Sequence, residues 1–152
     1  MIKKYGILLF ALLFILSGCS PEITPEEREK ITVQFVNKAN DILEQHENGK
    51  KMLQQVMDQV SKGMKRTKAQ NAIDQGRKVT ERIKQDLFGT PVPEDMVQLK
   101  EKILLALDKR IKGYQQLFNY YDFQDEKYLK KGEELLNEAD QLFHEVKDKV
   151  NP

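Results

Sequence analysis

The sequence predicts an all-α protein, an elongated antiparallel bundle of three to four helices with one long first helix, straight or kinked. Three observations carry that prediction. Apolar side chains recur at steps of three, four and seven along nearly the whole chain, which puts them on one side of a helix. Helix-stopping residues concentrate at one place, Gly89-Thr90-Pro91-Val92-Pro93. No segment alternates with the period of two that marks a strand, and no repeat of solenoid length occurs.

The first helix is expected from about 26 to 65, roughly 60 Å long at about 1.5 Å per residue. Phe35, Ile42, Val56 and the pair Leu53 and Val60 fall on a seven-residue grid, flanked by Val36, Leu43, Met57 and Met64. Asn48-Gly49 is a turn-prone pair inside it, so the chain either continues as a helix or reverses there. Phe35, Ile42, Gly49 and Val56 keep one register across the glycine, and a loop has no reason to preserve it.

After a phase slip at 66–69, Ala72, Ile73, Gly76, Val79, Ile83 and Leu87 form a second stripe that ends at Phe88. Gly89 is expected to close this helix in a left-handed cap, and the prolines after it cannot continue it. Glu94 and Asp95 open the third helix, where negative charge complements the macrodipole. Its stripe is Met96, Leu99, Ile103, Leu107, Ile111, Tyr114, Phe118 and Tyr121. A short loop at 122–125 sends the last helix back antiparallel, with Tyr128, Leu135, Ala139, Leu142, Phe143, Val146 and Val150 facing inward. A three-helix bundle with an extended arm is the alternative arrangement. Exposed parts of the long first helix leave room for self-association.

Ahead of these helices stand Lys3 and Lys4, ten residues without a charge at 7–16, and the small pair Ser17-Gly18, the three parts of a secretory signal. The tetrapeptide Leu16-Ser17-Gly18-Cys19 resembles the lipobox of bacterial lipoproteins. The resemblance implies that Cys19, the chain's only cysteine, receives a diacylglyceryl group and becomes the first residue of the mature protein. The expected division is therefore 1–18 signal peptide, 19–25 lipidated cysteine and short polar tether, and 26–152 a single helical domain. A spanning helix would need roughly 20 apolar residues, and a plain secretory signal would leave an unpaired thiol in an oxidising compartment. Two or more acyl chains anchor stably, whereas one binds reversibly. The expected location is the extracytoplasmic face of the cell membrane. The lipobox, the tether and the Glu/Lys-rich body resemble small helical lipoproteins of Gram-positive bacteria; this implies membrane lipid as a partner and nothing catalytic.

Charge narrows the remaining functions. The chain has 25 basic and 24 acidic residues, and loss of Lys3 and Lys4 leaves 23 against 24. Neither nucleic acid nor a strongly acidic substrate is implied. Lys62, Lys65, Arg66, Lys68, Arg77 and Lys78 are nonetheless concentrated enough to touch an anionic lipid or wall polymer; the alternative is that this basic segment forms salt bridges with the acidic last helix. Serine is scarce, with only Ser20 and Ser61 beyond residue 18, so nucleophilic catalysis lacks candidates and no enzyme is expected. His46 has Glu44 and Glu47 nearby, and His144 has Asp140 and Asp148 at spacings of four. A di-iron bundle needs Glu three residues before His, where Leu43 and Gln141 stand, so both histidines are read as packing at helix edges, with no metal and no cofactor. Six of the nine aromatic residues beyond residue 18 fall at 114–128. Tyr120 and Phe123 fit the core stripe least and offer contact area for an envelope protein partner. The expected function is a non-enzymatic interaction or structural module of the envelope. The alternative is a binder of a small apolar molecule or wall glycan, with a pocket between helices lined by Met57, Met64 or Tyr114.

Overall fold

The structure, a computed structural model, describes residues 23–150. Helix α1 spans Pro25–Ser61, α2 Arg66–Phe88, α3 Val97–Phe123 and α4 Glu126–Val150, with a 3₁₀ turn at Glu94–Met96 before α3. No strand occurs among the described residues. The signal segment and lipobox expected at 1–19 lie outside them.

Successive helices run antiparallel, as the pairs Lys38–Asp86 between α1 and α2, Lys84–Asp108 between α2 and α3, and Lys109–Glu138 between α3 and α4 require. Helix α3 packs against α2 and α4, and α1 packs against the same two. The result is an up-down-up-down four-helix bundle in which α1 lies diagonally opposite α3, not a three-helix bundle with an arm.

Local chemistry sets each helix end. Thr24 caps α1 by accepting the Glu27 N–H at 3.2 Å, while the Glu27 carboxylate accepts the Thr24 N–H at 3.0 Å, a reciprocal capping box with Pro25 opening the helix. Helix α1 runs unbroken through Asn48 and Gly49 and stops at Ser61, short of residue 65, because Gly63 turns the chain at a φ of 95°. The left-handed cap expected at Gly89 is absent: its φ is −77°. Other donors replace it, since Thr90 Oγ1 donates to the Asp86 carbonyl at 2.8 Å and Lys100 Nζ donates to the Phe88 and Thr90 carbonyls. Left-handed backbone appears instead at Gln124, which closes α3 at a φ of 56°.

The core is divided. One cluster gathers Phe35, Ile42, Leu87, Ile103, Leu107, Phe143 and Val146 towards the Thr24 end of the bundle. The other gathers Val56, Ala69, Ile73, Tyr114, Leu117 and Tyr121 towards the Gln124 end. On α2 and α3 the inner face differs from the sequence reading. On α2, Thr80 turns inward and Val79 is exposed; the Thr80 hydroxyl donates to the Gly76 carbonyl at 2.8 Å, which removes the penalty of burying it. On α3, Leu117 is buried while Phe118 is only partly covered.

Salt bridges follow the same topology. The basic segment on α2 does not lie beside acidic α4, because the two helices are diagonal. Arg77 and Lys78 are paired within α2 by Asp74 and Glu81, and the acids of α4 pair with α3 through Lys102–Glu145 and Lys109–Glu138.

Candidate functional site

Between the two apolar clusters lies a polar layer built around Arg110, a guanidinium on α3 that is only 5% exposed. Removing such a charge from water costs several kcal/mol unless its hydrogen-bonding capacity is met. Here Nε and Nη2 donate to the Tyr114 hydroxyl at 3.1 and 2.8 Å, and Nη1 donates to His46 at Nδ1, 2.5 Å away, and at the backbone carbonyl, 3.1 Å away. None of these acceptors carries a charge. The space for the guanidinium comes from Gly49: a Cβ there would fall onto Nη2 and stand 3.0 Å from Cζ. Gly76 on α2 likewise admits the Tyr114 ring, whose Cζ would lie 3.3 Å from an added Cβ.

The arginine fixes the state of His46. Because a guanidinium only donates, Nδ1 of His46 must accept, which leaves the proton on Nε2, where it meets Asp140 at 3.1 Å. His46 is 4% exposed and its ring lies 4.1 Å from that of Phe143. Burial lowers its pKa below the ordinary value, the Asp140 hydrogen bond works against this, and the Arg110 charge lowers it further. It is therefore a core histidine, not a helix-edge one. For Asp140, burial pushes the pKa up, but the hydrogen bonds from His46 and Lys50 outweigh it and hold the carboxyl below its usual range. Lys50 Nζ sits 2.8 Å from Asp140. With both ring nitrogens engaged, His46 has no free lone pair for proton abstraction from a substrate.

Cavities flank this layer on either side of α1. One of about 290 Å³ opens between α1 and α2, walled by Ile42, Met52, Val79, Ile83 and Leu107 with Arg110 and Tyr114 at its base. A second of about 530 Å³ opens between α1 and α4 and is lined by Leu53, Met57, Leu117, Leu136 and Tyr114 along with Lys50 and Asp140. Further along the same α1–α4 groove, a space of about 740 Å³ is bordered by Leu43, Phe143 and a rim of charged side chains. Tyr114 and Met57 thus line spaces between helices, whereas Met64 is partly buried against the cluster at the Gln124 end.

The residues singled out from sequence fall elsewhere. Tyr120 is half-buried, its ring 5.1 Å from Tyr121 and its hydroxyl 3.4 Å from Glu126, while Phe123 is 63% exposed with its ring 5.6 Å from Tyr128. Lys62, Lys65, Arg66 and Lys68 are all exposed around the α1–α2 turn. Both groups sit at the end of the bundle opposite Thr24, joined by the Gln70–Asp122 contact. Arg77 and Lys78 lie further along α2 and are already paired. His144 is exposed and faces Asp148 at 3.3 Å. Among the described residues no group of three His, Cys, Asp or Glu side chains could hold a metal ion. Cys19 lies outside the described residues. Sequence reasoning missed Arg110 altogether; the available signal was Gly49 and Gly76, two glycines on core positions of neighbouring helices, which leave holes that a long side chain must fill.

Two outcomes follow from this layer. Gly49→Ala should gain the roughly 1 kcal/mol that alanine holds over glycine within a helix, yet lose more by displacing a guanidinium held by four hydrogen bonds. The net loss expected in urea denaturation is about 2 kcal/mol, and a variant more stable than the parent would refute the packing described. The lowered pKa of His46 contributes stability that is complete above the unfolded-state value of about 6.5. That contribution is lost as the pH falls from there through the lowered native value. Stability measured against pH should show this decline, and His46→Gln should flatten it; equal slopes in parent and variant would contradict the assignment. Compared with known protein families, curated proteins and solved structures, the chain matches none.

Proposed function

We propose that the protein is a membrane-anchored extracytoplasmic lipoprotein that holds a small, mainly apolar ligand between α1 and the rest of the bundle, without catalysing its conversion. The observation that carries the ligand reading is the pair of cavities on either side of α1, which share the buried Arg110, His46 and Tyr114 as a common wall. The anchoring reading rests on the lipobox resemblance at Cys19. No helix among the described residues is long and apolar enough to cross a membrane.

An interaction module is the second reading, and one observation favours it: the exposed Phe123 at the α3–α4 tip beside the cationic α1–α2 turn. The side of the long helix gives it little support. Along α1, Val33 is the one large apolar side chain that is exposed, and single exposed apolar residues need no partner.

The neutral dye N-phenyl-1-naphthylamine brightens in apolar surroundings. It should bind the full chain in lipid nanodiscs saturably, above the signal of empty nanodiscs. Val79→Trp, placed at the exposed mouth of the α1–α2 cavity, should reduce that binding at least about fivefold with helicity unchanged; indifference to the substitution would remove this cavity from the proposal. In cells fed an alkyne-tagged palmitate, the chain should take up label, and Cys19→Ala should lose both the label and the membrane association. Labelling that survives Cys19→Ala would place the lipid elsewhere.

A further inference from the structure

We infer that the α1–α2 cavity is a site for a small amphipathic carboxylate, an acyl chain lying along Ile42, Val79, Ile83 and Leu107 with its carboxylate bound by Arg110 and Tyr114. This rests on the ligand-binding reading and adds the chemical class of the ligand. The cavity's lining holds one formal charge, Arg110, and no aspartate or glutamate. The nearest carboxylate to the layer, that of Asp140, sits beyond the imidazole of His46 and is itself occupied by His46 and Lys50. From α2 the cavity receives Gln75, Gly76, Val79, Thr80 and Ile83, none of them charged. A cation buried among neutral acceptors, facing an apolar space without a counter-ion, is complementary to an anion with an apolar tail.

The unused donors of the layer locate the headgroup. Of the five N–H groups of Arg110, four are taken by Tyr114 and His46. The fifth is on Nη2, the atom that fills the space beside Gly49, a residue that also lines the cavity. The Tyr114 hydroxyl accepts twice from Arg110, which uses both of its lone pairs, and its own hydrogen has no acceptor among the described residues. Tyr114 is 1% exposed and its hydroxyl would lie 3.4 Å from a Cβ at Gly49. Two donors, one charged and one neutral, thus meet at the same glycine with nothing to receive them. A carboxylate presents two oxygens and can accept both. The volume of about 290 Å³ lies just below the usual range for ligand sites, about 300–1,000 Å³, which suits a short or medium acyl chain.

The test compares three eight-carbon probes that differ only in the headgroup: octanoate, octanol and octylamine. Each is used to displace N-phenyl-1-naphthylamine from the full chain in nanodiscs, with empty nanodiscs as the blank. Octanoate should displace the dye at least about tenfold more tightly than octanol, the factor expected of a charge-assisted hydrogen bond, and octylamine should be weaker than both. Arg110→Met, which removes the charged donor, should bring octanoate and octanol together. The comparison in the parent protein decides the matter even where the variant is too unstable to assay. Dye binding that is sensitive to Val79→Trp, with octanol equal to or better than octanoate, would overturn the carboxylate assignment and leave the ligand reading standing. Dye binding that is absent, or indifferent to Val79→Trp, would overturn both.

Discussion

The architecture depends on keeping one arginine buried. Arg110 stands on α3 facing its diagonal partner α1, at a level where a bundle of this width would ordinarily place leucine or isoleucine. Its charge is tolerable only if every neighbour yields something: Gly49 its side chain, Tyr114 and His46 their lone pairs, and Gly76 the room that the Tyr114 ring occupies. These demands fall on three helices at once and set their relative heights. A shift of one residue along α1 would bring Asn48 or Lys50 to the position of Gly49 and drive a side chain into the guanidinium. A continuous apolar core tolerates sliding because one aliphatic contact substitutes for another. A hydrogen-bonded arginine does not, and a polar residue at a core position is known to specify register at some cost in stability.

The same layer makes the bundle two-part along its axis. Each apolar cluster is closed by the polar one, so neither extends through the molecule. Across the bundle the bonding is uneven as well. The α3–α4 pair brings Gly113 against Gly132, where an added Cβ on either would stand 3.2 to 3.3 Å from the other's carbonyl oxygen, and it carries the Lys102–Glu145 and Lys109–Glu138 bridges. Helix α1 lacks comparable backbone approach and is held at mid-height through His46, Lys50 and their bonds to Arg110 and Asp140.

Much of the fold was legible because helical periodicity is a property of many residues together. The long first helix, the break at 89–93 and the antiparallel last helix all follow from stripes in which a single exception does little harm. The exceptions were those set by one contact. Thr80 could replace Val79 on the inner face only because the Gly76 carbonyl was there to accept its hydroxyl. Gly89 needed no left-handed turn because Thr90 and Lys100, distant in sequence from each other, serve the carbonyls at that helix end. The candidate site was the least legible part. Arginine reads as solvent-facing by default, and its burial follows from absences on two other helices, visible in sequence only as glycines that keep the heptad register.

The alternation of helix direction has a last consequence. Thr24 and the exposed tip with Phe123 and the lysines at 62, 65 and 68 are separated by the full length of α1, about 55 Å for its 37 residues. Electrostatic influence in physiological salt fades within about 8 Å. A surface held close to Thr24 and a surface close to Phe123 would therefore be electrically invisible to each other. The molecule is in effect an insulating post: whatever holds its foot does not govern what its head can attract.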